Sequence, residues 1–225
     1  MATPGVSTGL IYHWLLDGDA TDETGTLDLT EYGGISYTAD VPSVLSGVVT
    51  QSADLDGSAD YLQTASSITF KSLSCWFKID TFASQSRVFD WSANGCSPIC
   101  LTNGNLRFIY RDSTNSFKTL PDKTGLSTGV WHHILWSGDS VNNALYFNGS
   151  LHASSTDGFL STVAIATLGR FGSGGEFFNG KIADFRLYSD AKTAGDAATI
   201  YAGDYGGGGS PDGAAAYYYR HLMGL

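Results

Sequence analysis

Charge is scarce in this sequence. Only 15% of its 225 residues are Asp, Glu, Lys or Arg, and 12 basic residues stand against 22 acidic ones, for a net charge of −10. The basic residues are scattered and form no run, which excludes the clustered Lys and Arg that nucleic-acid phosphates require. Glutamate is rarer still, occurring only at Glu23, Glu31 and Glu176. Long apolar runs are missing, so no segment approaches the roughly 20 residues of a membrane-spanning helix. Met1 to Thr8 lacks the basic and apolar stretches of an export signal. Three cysteines are too few for a disulfide framework. Cys75 alternates with Leu73 and Phe77 and reads as a small buried apolar residue. Cys96 and Cys100 flank the turn-prone Pro98, where a bridge and two free thiols both remain open. No C-x-x-C pair is present for zinc.

What remains is apolar, aromatic and rich in turn residues. Hydrophobic residues make up 42% and aromatics 13% of the chain, enough for a substantial core. Leu73, Cys75, Phe77 and Ile79 alternate with Ser74, Trp76 and Lys78, the period of a half-buried strand. Residues 99–101 and 106–110 flank Gly104-Asn105 and read as a hairpin. Asn148-Gly149 supplies the positive φ angles of a type I′ turn between residues 145–147 and 150–152. Trp131 to Trp136, Ala164 to Leu168 and Gly180 to Tyr188 supply further strands. Many short strands between Gly, Asn, Asp and Ser turns predict an all-β sandwich of two antiparallel sheets. A short helix is expected from Thr193 to Tyr201, with Ala197, Ala198, Ile200 and Tyr201 on its apolar face.

The organisation reads as one domain over residues 1–204 and a tail over 205–225. Four glycines from Gly206 form a flexible tether. Ser210, Pro211 and Asp212 then read as a helix start. The segment that follows carries Tyr217, Tyr218, Tyr219, Leu222 and Met223, an assembly tail expected to dock on another chain or on its own domain.

The ordered set Y-H-W-L-L-D from Tyr12, D-L-D-G-S-A-D-Y-L from Asp54 and S-L-S-C-W-F-K-I from Ser72 carries a resemblance. It continues with G-V-W-H-H-I-L-W from Gly129, A-L-Y-F-N-G-S-L from Ala144 and F-F-N-G-K-I-A-D-F-R-L-Y from Phe177. Together these resemble the laminin-G-like, concanavalin A-like jelly-roll domains, in the branch found in bacterial surface and phage structural proteins. The resemblance implies a jelly roll whose first strand, within Leu10–Leu16, pairs with the late strand Lys181–Tyr188. It implies structural roles for Trp131, packed in the core, and for His132 and His133, which adjacent strand positions send to opposite faces. It also implies a structural Ca²⁺ held by Asp184, with Asp17, a carbonyl at Gly57 and, more weakly, Asp22 as co-ligands. The alternative is that Asp184 hydrogen-bonds backbone or pairs with Arg186 at the rim of the sandwich.

Glucanases of this fold carry E-x-D-x-x-E on one strand. None of the three glutamates here is followed by Asp at the second position, so the paired carboxyls of a retaining glycosidase are not in evidence and no enzyme is expected. Carbohydrate binding calls for aromatic faces beside amides and charged groups; the candidates are Trp91, Tyr110, Arg111 and Asn115. The expected function is therefore a non-enzymatic virion decoration protein, with weak adhesion to carbohydrate and contacts to other virion proteins or to itself through the tail. Nucleic acid and membrane are not expected partners. The alternatives are a secreted or cell-surface lectin or adhesin module, and a glycoside hydrolase or lyase of the same fold.

Overall fold

The structure, a computed structural model, describes residues 3–82, 85–91, 97–159, 162–163, 165–172 and 174–205. The alternating segments form strands β1 (Leu10–Trp14), β2 (Leu29–Tyr32), β3 (Ser36–Thr38), β4 (Ser52–Asp56), β5 (Tyr61–Thr64) and β6 (Ile68–Thr69). Next come β7 (Ser72–Ile79), β8 (Ser86–Arg87), β9 (Phe89–Trp91), β10 (Ser97–Cys100), β11 (Leu106–Arg111) and β12 (Phe117–Thr119). The last third supplies β13 (Trp131–Gly138), β14 (Asn143–Phe147), β15 (Ser150–Ser155), β16 (Thr162–Val163), β17 (Ala166–Leu168) and β18 (Asn179–Tyr188). A 3₁₀ turn covers Ser43–Leu45, and helix α1 covers Ala194–Tyr201.

One large sheet runs β15-β14-β13-β7-β18-β4-β3, with β1 also paired to β18. The early and late strands therefore do pair, with Trp14 opposite Phe185 and His13 opposite Arg186. Two four-stranded sheets, β2-β5-β17-β9 and β12-β11-β10-β8, and the β6–β16 pair complete the jelly-roll sandwich. Leu62, Phe89, Phe108, Tyr110 and Leu168 of the smaller sheets share one core with Leu73, Cys75, Phe77, Ile79 and Trp136 of the large one. The burial of that shared interior, at about 25 cal/mol per Å² of apolar surface, holds the layers together.

The large sheet is covered on its other face too. Leu135, Tyr146 and Tyr188 pack on Ala197 and Ile200 of α1, while Trp76 and Ala183 pack with Leu45 and Val49 beside the 3₁₀ turn. β7 is thus buried on both sides rather than half-buried, although its period reads correctly. Trp131 differs from its expected place: it is partly buried in the outer cluster, where its Nε1 donates to Asp40 at 3.0 Å. In α1, Ala197 and Ile200 are buried as expected, but Ala198 is exposed. Tyr205 belongs to the fold, because its ring joins the outer cluster and its hydroxyl donates to Asp184. The predicted tail residues Tyr217, Tyr218, Tyr219, Leu222 and Met223, and Cys96, lie outside the described residues.

Candidate functional site

Among the sequence-predicted binding residues, Arg111 and Asn115 meet at the β11–β12 hairpin. Asp112 organises its turn by accepting from Thr114 Oγ1, Ser116 N and Thr114 N at 2.7, 2.9 and 2.8 Å, which holds its carboxyl below the usual range. Asn115 takes the left-handed conformation, φ 67°, that Asn tolerates better than most residues. Its carbonyl accepts from Arg111 Nη1 at 2.8 Å. The guanidinium lies 3.6 Å from the ring centroid of Phe117, which is 61% exposed. Phe117 was not singled out in the sequence; its cross-strand position opposite Arg111 is the signal that finds it.

Tyr110 does not present a sugar-stacking face. It is 1% exposed with its ring in the sandwich core, as strand alternation requires of the neighbour of outward Arg111. Its hydroxyl instead meets Ser155 Oγ at 2.7 Å and donates to Asp157 at 3.3 Å, tying the hairpin to the end of β15. Trp91 lies on β9, opposite Ala166, and its side chain is outside the described residues.

Next to that tie lies an open cleft of about 600 Å³ across the ends of β13, β14 and β15 and the loop before α1. Ser137, Asp139, Asn142, Asn143, Ser154, Ser155, Thr156 and Lys192 border it, with Leu151 as its exposed apolar side chain and Tyr146 buried beneath against α1. Asn143 is fixed by donating from Nδ2 to Gly158 O at 2.6 Å. Asp139 accepts from the backbone N–H groups of Val141 and Asn142, both at 2.7 Å, which shapes the β13–β14 turn. The exposed side chains of Asn142, Ser154 and Thr156 supply donors and acceptors of the kind that hydrogen-bond sugar hydroxyls.

The expected calcium ligands are placed apart. Asp184 is fully buried, and Arg186 donates to both its oxygens at 2.8 Å. His13 Nε2 lies 2.9 Å from the same carboxylate. The arginine offsets the cost of burial and holds the Asp184 carboxyl far below its ordinary range. Asp17 accepts from Thr50 N and Gln51 N at 3.0 and 2.7 Å. Asp22 accepts from His13 N at 2.9 Å and from the 24–27 loop. Gly57 sits in the β4–β5 turn against Asn179. Among the described residues no three His, Cys, Asp or Glu side chains gather as a metal-holding group. This donor set does not fit a calcium ion, since a carboxylate already chelated by a guanidinium is a poor ligand.

Two arrangements outside the sequence-predicted set resemble catalytic geometry. Arg87 lies between the carboxylates of Asp90, at 3.0 Å, and Glu176, at 2.6 Å, so one guanidinium occupies both. Ser74 Oγ and His133 Nε2 are 2.9 Å apart, but both residues are 0% exposed. Trp76 and Tyr201 cover His133, with ring centroids 5.1 and 6.0 Å from the imidazole. Burial pushes His133 down to about 3, so it is neutral at ordinary pH. His132, on the opposite face, packs on Phe77 and Phe147.

The family described as the concanavalin A-like lectin/glucanases superfamily, laminin-G type, matches residues 51–198. The chain belongs to that superfamily. Among solved structures, domain 4 of an extracellular arabinanase from Geobacillus stearothermophilus, in complex with arabinotriose, is 22% identical. It aligns at TM-score 0.68 over 85% of this chain and 98% of its own. The ligand-binding domain of botulinum neurotoxin serotype D, in complex with N-acetylneuraminic acid, is 18% identical at TM-score 0.66. That alignment covers 86% of this chain but only 50% of the neurotoxin chain, so this laminin-G-type domain spans half its length. At such identities the likeness is one of fold. No curated protein sequence matches this one.

Proposed function

We propose that this laminin-G-type domain is a non-catalytic carbohydrate-binding module carried on a virion, where weak glycan contacts serve adhesion. The observation that carries the binding reading is the open cleft of about 600 Å³ at the ends of β13–β15, bordered by exposed Asn142, Ser154 and Thr156 beside exposed Leu151. The arabinotriose complex of the arabinanase domain supports the same ligand class. The binding rather than hydrolytic reading rests on the carboxylates: Asp90 and Glu176 share Arg87, and Asp184 is committed to Arg186. The virion reading rests on the glycine-tethered, tyrosine-rich segment after Tyr205. Repeated copies on a particle would raise the avidity of weak sites.

Calorimetric titration of the full chain with a panel of oligosaccharides tests the site. Ser154→Trp, which fills the cleft from an exposed position, and Asn142→Ala are expected to weaken binding at least about tenfold, a loss of 1.4 kcal/mol. Both are expected to leave the unfolding midpoint in place. Undiminished binding by the cleft-filled variant rejects the assignment, and product release from the same panel rejects the non-catalytic reading.

A further inference from the structure

We infer that Arg111 makes this glycan site selective for carboxylated sugars, with Phe117 as the face on which the acidic ring stacks. The inference rests on the carbohydrate-binding reading and adds a ligand class to it. Its starting point is charge. An anionic ligand approaching a chain of net charge −10 meets repulsion, so it needs a cation that no carboxylate of the protein has already taken. Arg87, Arg107 and Arg186 are each paired with carboxylates. Arg111 forms no salt bridge among the described residues; its one hydrogen bond there runs from Nη1 to the carbonyl of Asn115, and its Nε is buried without a partner.

Its surroundings keep it available. Asp112 of the hairpin and Asp157, just after β15, have Lys118 Nζ between them at 3.6 and 3.7 Å. Phe117 and the Asn115 carbonyl hold the guanidinium in one plane, so less side-chain entropy is lost when a carboxylate binds. A planar guanidinium suits a carboxylate, which can meet its two terminal nitrogens, Nη1 and Nη2, through parallel hydrogen bonds. Arg170 offers a similar stack, 3.6 Å from Tyr61, but Tyr61 is covered again by Tyr32, with centroids 4.5 Å apart. Phe117 is the more open ring, and its hairpin is tied through Tyr110 to Ser155 on the wall of the cleft. The hairpin turn meets the rim of the cleft at Asp157, whose carbonyl accepts from Ser113 Oγ at 3.4 Å, so a glycan crossing that rim would carry a carboxylated unit toward Arg111.

The test compares two oligosaccharides of the same linkage, one carrying a uronic acid and the other the matching neutral hexose, by calorimetric titration of the full chain. The native protein is expected to bind the acidic one about fivefold to tenfold more tightly, with the difference shrinking as salt rises. Arg111→Gln is expected to erase that difference while retaining the affinity for the neutral sugar. Arg111→Lys, a point charge without the fork, is expected to restore only part of it. An unchanged preference in Arg111→Gln, or equal binding of both sugars by the native chain, overturns the inference and leaves the cleft reading standing. If neither sugar nor any other panel glycan binds, both fall together. A common unfolding midpoint among the three proteins shows that the comparison is not one of folding.

Discussion

At the residue scale, the outer face of the large sheet holds a buried charged cluster whose ions depend on one another for solvation. Asp184 sits at a bulge in β18 with φ 50°, a conformation open to Asp, and its N–H donates to Leu15 O at 3.0 Å. Arg186 bridges it to Asp204, donating from Nη1 at 3.0 Å. Removing one partner of such a pair leaves an uncompensated buried charge. Arg186→Met is therefore expected to cost about 3–5 kcal/mol in urea unfolding; a loss below 1 kcal/mol would show that the pair is solvated. His133 gives the pH dependence. Its value of about 3 in the folded chain lies below that of an unfolded histidine, near 6.5. Between those values the unfolded state binds the extra proton, so stability falls as pH falls. The slope is at most about 1.4 kcal/mol per pH unit for one proton. His133→Gln is expected to flatten the stability profile between pH 6.5 and 4 relative to the native protein, and an identical slope would assign the effect to other groups.

At the element scale, two local devices fix where α1 sits. Thr193 and Asp196 form a capping box, with Asp196 N donating to Thr193 Oγ1 at 3.2 Å and Thr193 N to Asp196 Oδ2 at 2.8 Å. The β14–β15 turn places Asn148 and Gly149 at φ 48° and 75°, as the Asn-Gly pair predicts. Asn148 also accepts from His133 N through Oδ1 at 2.8 Å, which fastens the turn to β13. Its glycine is required by more than backbone conformation, since a Cβ there would lie 2.9 Å from the Tyr201 ring of α1. Thr193→Ala is expected to cost about 1 kcal/mol, the usual worth of an N-cap. Gly149→Ala is expected to cost more, because positive-φ strain adds to displacement of the helix. Equal midpoint shifts for the two variants in thermal melts would mean that α1 yields freely.

At the scale of the whole molecule, the two ends of the fold are joined. Gly5 N donates to Asp204 O at 2.6 Å, Val6 N to the Asp204 carboxylate at 2.7 Å, and Pro4 forms a bridge with Tyr205. The segment after Tyr205 thus departs from a fixed, well-packed point. If it is an assembly element, light scattering of the full chain should give an oligomer and a chain ending at Tyr205 a monomer of unchanged melting temperature. Equal masses would remove the assembly role. Much of the architecture was legible in the sequence because alternation, Asn-Gly turn chemistry and helix-start residues act over a few positions. Cys75 inside, the β14–β15 hairpin, α1 and the β1–β18 pairing follow from such signals and the resemblance they carry. Other features depend on partners far along the chain. Burial of β7 on both faces requires α1 and the 3₁₀ turn to fold over it, and the commitment of Asp184 depends on how Arg186, His13 and Tyr205 converge. That Arg111 forms no salt bridge among the described residues goes with Lys118 lying between Asp112 and Asp157. Local sequence therefore determined which segments are strands and which turns close them. Only the tertiary structure decided which charges are neutralised and which face solvent, because Coulomb pairing and desolvation act through space between residues that the chain keeps far apart.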